Sequence, residues 1–135
     1  MTQLNHPDNL LYAKTHEWAR IEGDEAVIGI SDYAQDVLGE VVSIDLPWND
    51  AGKRDAVAGR HIGDIDSVKA TSELFAPLSG QIVKINQDLQ TAAEVINTDP
   101  YGDGWLMVIK LSAPEETAQL MNSAQYVEFL STQTH

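Results

Sequence analysis

Short apolar runs alternate with clusters of turn formers along the whole chain. That rhythm predicts many short strands with a few helical turns between them. A strand is predicted over 12–21, ending at the turn "EGDE", and a second at "AVIGI", Ala26–Ile30. Ser31 then fits an N-cap and Asp32 suits a first helical turn. Ala34, Val37 and Leu38 keep helical spacing until Gly39 stops the helix. In "EVVSIDL", Glu40–Leu46, strict alternation predicts Val41, Ser43 and Asp45 on one side and Val42, Ile44 and Leu46 on the other. "PWNDAGKRD" reads as a loop, and "AVAGRHIGDIDS" and "ELFAPLSG" as short β segments on either side of Lys69. "QIVKIN", Gln81–Asn86, and "WLMVIKL", Trp105–Leu111, are further strands, with "NTDPYGDG" a turn-rich loop between them. Ser112 with Glu115 fits a capping box, and a second short helix begins near Ser123, carrying Tyr126, Val127 and Leu130.

Two of these strands echo each other. "GEVVSIDL" starts at Gly39 and "GQIVKINQ" at Gly80, each reading Gly, polar, β-branched, Val, polar, Ile, polar. Two interlocked half-units of a β-sandwich would produce such a repeat. Many short strands with frequent turns argue for a sandwich or partly closed barrel with helices at its margins. The organisation expected is a lead-in over 1–11, one domain over 12–130 and a flexible tail over 131–135.

Composition narrows the function. The length of 135 residues suits one domain with a single core. Net charge is −13, from 21 acids against 8 Lys+Arg, which argues against nucleic acid and anionic membranes as partners. No cysteine is present, which excludes disulfides, thiolate metal sites and cysteine nucleophiles. Any sulfur chemistry must come from something attached to the chain. No apolar run is long enough to span a membrane, and the start lacks the basic flank and apolar centre of a signal peptide. A soluble cytoplasmic protein is expected.

Catalytic motifs are missing. His6, His16, His61 and His135 show no HExxH spacing and are assigned to surface or packing roles. There is no GxSxG, no GxxxxGK[ST], and no GxGxxG after a strand. "DPYGDG", Asp99–Gly104, lacks the ligand spacing of an EF-hand and reads as turn residues. An enzyme with its own machinery is not supported.

Lys69 stands apart. "IDSVKATS", Ile65–Ser72, sets it among small and β-branched residues at the tip of a predicted hairpin. Such a lysine has a long, unhindered stem and leaves room for a modifying enzyme. The same features describe an ordinary exposed lysine, so both readings stand on the residues alone.

A resemblance separates them. "YAKTHEW" (Tyr12–Trp18), "VIGISDYAQDVLGEVVSIDLP" (Val27–Pro47), "DSVKATSELFAPLSGQIVKIN" (Asp66–Asn86) and "INTDPYGDGWLMVIKL" (Ile96–Leu111) occur in one order. Together they resemble the H protein family of the glycine cleavage system, from about Tyr12 to Leu130. The resemblance implies a mainly β fold, a lipoyl/biotinyl-domain-like β-sandwich (barrel-sandwich hybrid) with short peripheral helices, some of them C-terminal. It implies lipoate in amide linkage on Lys69, the lysine of the "SVKA" turn, and no catalysis by the chain itself. The implied partners are glycine decarboxylase, which loads an aminomethyl group, aminomethyltransferase, dihydrolipoamide dehydrogenase, and a lipoate ligase or lipoyl transferase; a monomer is expected. Thr15, Glu17 and Glu73 match positions of a cleft that holds the folded-back arm. Asp66 and Gly80 match positions implicated in presenting the lysine for lipoylation. A solvated hairpin charge for Glu73 and a plain turn role for Gly80 are the competing readings.

The chain departs from the family pattern in places. Asp66 stands where glutamate is usual, and Glu73 where aspartate is usual. Arg60-His61 replaces small and apolar residues. These departures keep open an H-like paralogue that carries lipoate in heterodisulfide-reductase-like sulfur oxidation or relays lipoyl groups to other proteins. A biotinyl carrier would place methionines where Val68 and Ala70 flank Lys69.

Overall fold

A computed structural model describes residues 5–132 of the chain. Among these residues the strands are β1 Leu11–Tyr12, β2 Glu17–Glu22, β3 Glu25–Ile30, β4 Val41–Asp45, β5 Arg54–Ala56, β6 His61–Ser67, β7 Thr71–Phe75, β8 Gly80–Ile85 and β9 Met107–Leu111. The helices are α1 Asp32–Leu38, α2 Val95–Thr98 and α3 Ser123–Ser131, with 3-10 turns at Gln87–Gln90 and Pro114–Gln119. One sheet runs β1-β2-β3-β9-β8-β5 and the other β4-β6-β7, with every pairing antiparallel. The expected mainly β sandwich with peripheral helices is what forms.

Ile28 and Ile30 from β3, Ile82 from β8 and Ile109 from β9 meet Ile44 from β4 and Ile65 and Leu74 from the small sheet in the main core. β-branched side chains pack well on such a half-buried pleated surface. A second apolar cluster joins Leu10, Tyr12, Trp18, Val27 and Tyr126, and so binds α3 to the first two strands.

The repeat noticed in the sequence is present in three dimensions, with one feature that alternation hides. β4 carries a bulge between Val41 and Ser43, and β8 carries one between Ile82 and Lys84. The extra residues, Val42 and Val83, occupy equivalent places in the two copies. The bulge corrects the alternation expected for 40–46: Val41 is buried and Val42 exposed, with Ile44 and Leu46 again inward. An inserted residue reverses the side-chain phase on one side of it.

Other expectations need correction. The single strand expected over 12–21 is two strands, β1 and β2, reversed through residues 13–16. His16 makes that reversal with φ of 79°, a conformation the apolar pattern does not announce. Ser112 and Glu115 do not form a capping box, since the turn there is 3-10 and starts at Pro114 without a side-chain cap. The reciprocal cap belongs instead to Asn122 and Gln125 at the start of α3. "NTDPYGDG" begins inside α2, where Asn97 and Thr98 close the helix. α1 is as expected: Ser31 accepts a hydrogen bond from the Ala34 amide, and Gly39 ends the helix with φ of 75°.

The lead-in is tied down from residue 5 onward. The Asn5 amide donates to Asp32, the Tyr12 hydroxyl donates to the Pro7 carbonyl, and Leu10 is buried. Ser131 is the last residue of α3; His135 and the rest of 133–135 lie outside the described residues.

Candidate functional site

β6 and β7 form a hairpin closed by Val68 and Lys69, with the Ser67 amide donating to the Ala70 carbonyl at 2.9 Å. The Ser67 hydroxyl donates to that same carbonyl and accepts from the amides of Lys69 and Ala70, so one small side chain organises the turn. The Val68 amide donates to the Glu40 carbonyl at 3.0 Å, anchoring the tip to the chain leaving α1. Lys69 is exposed at this tip. Its stem passes over Gly39, where a Cβ would lie 3.2 Å from Lys69 Cε. Its ammonium donates to the Val37 carbonyl at 3.5 Å, near the electron-rich end of α1.

Val37 also lines a cleft of about 190 Å³ between α1 and β7. Thr15, Glu17 and Glu73 line it too, together with Tyr33, Leu38 and Ser72. The structure therefore gathers the three expected cleft residues and opens their cleft beside Lys69. Glu17 is almost fully buried, 1% exposed. It accepts hydrogen bonds from the Thr15 hydroxyl and, at 3.2 Å, from the Phe75 amide. Burial outweighs these bonds and pushes its carboxyl up to about 7. Glu73 is exposed at the rim. The cleft pairs an apolar lining with one buried and one solvated carboxyl, a combination suited to a mostly apolar chain ending in a cation.

Asp66 and Gly80 lie elsewhere. Asp66, exposed on β6, accepts from the Thr71 hydroxyl across the hairpin and from Ser43 on β4 at 3.2 Å. It braces the hairpin three residues ahead of Lys69. Gly80 sits in the other sheet, between β5 and β9, facing Ala56 and Leu111. A Cβ there would lie 2.0 Å from the Lys110 carbonyl oxygen, so the close strand approach admits only glycine.

A profile described as "Glycine cleavage H-protein" matches residues 10–133. The chain belongs to the glycine cleavage H-protein family. It is 44% identical to the glycine cleavage system H protein of Rubrobacter xylanophilus, covering 88% of this chain and 97% of that one. It is 48% identical to that of Xanthobacter autotrophicus over 90% of this chain and 94% of the relative. A crystal structure of the H protein from Mycobacterium marinum superposes with a TM-score of 0.82 at 33% identity, over 93% of this chain and 98% of that one.

The histidines are expected at the surface or in packing, and the structure adds a partly buried polar cluster behind the cleft. His16 Nδ1 lies 2.8 Å from the Tyr126 hydroxyl, which lies 2.7 Å from the Ser31 hydroxyl. No spacing links residues so far apart in the chain. The one available signal was a tyrosine on the apolar face of the last helix, which needs a polar partner when buried. His61, by contrast, is an exposed partner of Asp64 at 3.0 Å, which raises its pKa. No helix among the described residues is long and apolar enough to cross a membrane.

Proposed function

We propose that this chain is a lipoyl carrier of the glycine cleavage system and that Lys69 is its attachment site. The observation that carries the reading is positional: an exposed lysine on a hydrogen-bonded hairpin tip, beside a cleft with a buried carboxyl. The residues fit the group. The tip offers an unhindered amine between Val68 and Ala70, and the cleft offers an apolar lining with polar atoms from Thr15, Glu17 and Glu73. Amide-linked lipoate supplies the sulfur chemistry that a chain without cysteine lacks.

The chain's own residues then do the holding. Ser67 and Asp66 keep the hairpin in shape for the lipoate ligase or lipoyl transferase. Gly80 keeps β8 close against β9 so that the sandwich presents the hairpin correctly. Thr15, Glu17 and Glu73 receive the far end of the arm, and the carboxyls favour a terminal ammonium through charge-assisted contacts. Tethering converts a diffusing intermediate into one delivered at high effective concentration. The chain acts as a carrier substrate, and not as a catalyst, for glycine decarboxylase, aminomethyltransferase and dihydrolipoamide dehydrogenase. A cytoplasmic monomer fits that role. The relatives described above are named for glycine cleavage, and nothing favours the sulfur-oxidation alternative.

The test is glycine decarboxylase in the presence of the lipoylated chain. Exchange of the glycine carboxyl with labelled bicarbonate is expected with wild type and not with Lys69→Arg. Full lipoylation without any exchange would remove the glycine cleavage assignment.

A further inference from the structure

We propose that Tyr126 on the C-terminal helix is a positioning residue that holds the Thr15–Glu17 wall of the cleft against α1. Tyr126 is fully buried, and its ring stacks on Tyr12 with centroids 4.5 Å apart and planes 3° apart. Its hydroxyl is the meeting point of two cleft elements. One is His16, next to both Thr15 and Glu17, at 2.8 Å; the other is Ser31, the N-cap of α1, at 2.7 Å.

The bonds form one connected chain. The Ala34 amide donates to the Ser31 hydroxyl oxygen at 3.2 Å. The Ser31 hydroxyl is hydrogen-bonded to the Tyr126 hydroxyl, and the Tyr126 hydroxyl to His16 Nδ1. Burial shifts His16 toward its neutral form, in which the imidazole can share this bond with the hydroxyl. The backbone closes the loop, since the Ser31 amide donates to the His16 carbonyl at 2.9 Å. His16 sits in the left-handed region with φ of 79°, a conformation that costs a non-glycine residue energy and persists when surrounding contacts enforce it. The Tyr126 hydroxyl is such a contact. Ser31 is 0% exposed, so removing the hydroxyl leaves its polar partner without replacement water. A helix remote in sequence from the hairpin therefore sets the shape of the pocket that opens beside Lys69. That this pocket receives an arm on Lys69 rests on the carrier reading; the positioning role does not.

The test uses the full chain, unmodified, with Tyr126→Phe, which keeps the stacking and removes only the hydroxyl. Amide hydrogen exchange is followed at Ser31, bonded to the His16 carbonyl, and at Phe75, bonded to Glu17. Exchange at these two amides is expected to rise by about tenfold relative to Ile28 and Ile109 in the central strands, the scale of one buried hydrogen bond. Equal changes at all four amides, or none, would overturn the proposal. Because lipoate is absent from this experiment, a failed carrier assignment cannot alter its result. Lipoylated protein run in parallel reads the carrier assignment separately, through its mass.

Discussion

The Glu17 carboxyl accepts a hydrogen bond from the Phe75 amide at 3.2 Å, and so ties β2 of the large sheet to β7 of the small one. That bond sits at the edge where the two sheets and α1 leave a cleft. A single buried side chain thereby closes the sandwich and lines the pocket beside Lys69. Stability and the shape of the pocket are coupled at this residue.

The coupling has a pH signature. The Glu17 carboxyl is raised by burial from 4.5 to about 7, so the folded chain keeps a proton there that the unfolded chain has released. The sign follows: this group's contribution is fully present below 4.5 and is lost as pH rises to about 7. The loss is on the order of 3 kcal/mol once the buried group is charged. Glu17→Gln, which stays neutral, is expected to gain stability relative to wild type as pH rises through that window. Urea midpoints of both chains across the window check it; a constant difference would contradict it.

Asp66 is exposed and its bonds, to Thr71 in the hairpin and Ser43 on β4, lie on the surface, so its removal should affect modification more than stability. Asp66→Ala is expected to lower stability by at most about 1 kcal/mol and to slow lipoylation severalfold. Asp66→Glu, which keeps the carboxylate, should restore the rate. Thermal melting and a time course of mass increase separate the two effects.

Gly80 should behave in the opposite way. A methyl group there meets the Lys110 carbonyl at 2.0 Å, so β8 and β9 must part. Gly80→Ala is expected to cost about 3 kcal/mol, as overpacking in a rigid core does. Lipoylation should then fall in step with the folded fraction. Slow lipoylation of a chain that melts like wild type would instead show direct recognition at Gly80.

Much of this was legible in the residues. The caps of α1, at Ser31 and Gly39, are local chemistry and read directly. The Gly39 and Gly80 repeats mark equivalent strands, yet their bulges at Val42 and Val83 depend on pairing register, which local pattern does not encode. The strand expected through His16 failed because a tertiary network, and not propensity, holds that residue in a turn. The hairpin around Lys69 was visible from its small residues. That Thr15, Glu17 and Glu73 share one cleft was implied by resemblance alone, since Glu73 on β7 is distant in sequence from Thr15 and Glu17. Tyr126 was visible as an apolar-face residue, while its polar partners were not.

The central claim is that Lys69 carries the lipoyl group. Intact mass of wild type and Lys69→Arg, each co-expressed with a lipoate ligase and supplied with lipoate, tests it most directly. A single lipoyl increment on wild type and none on the variant is the expected result. An increment that survives the substitution, or a wild-type chain that stays unmodified, would contradict it.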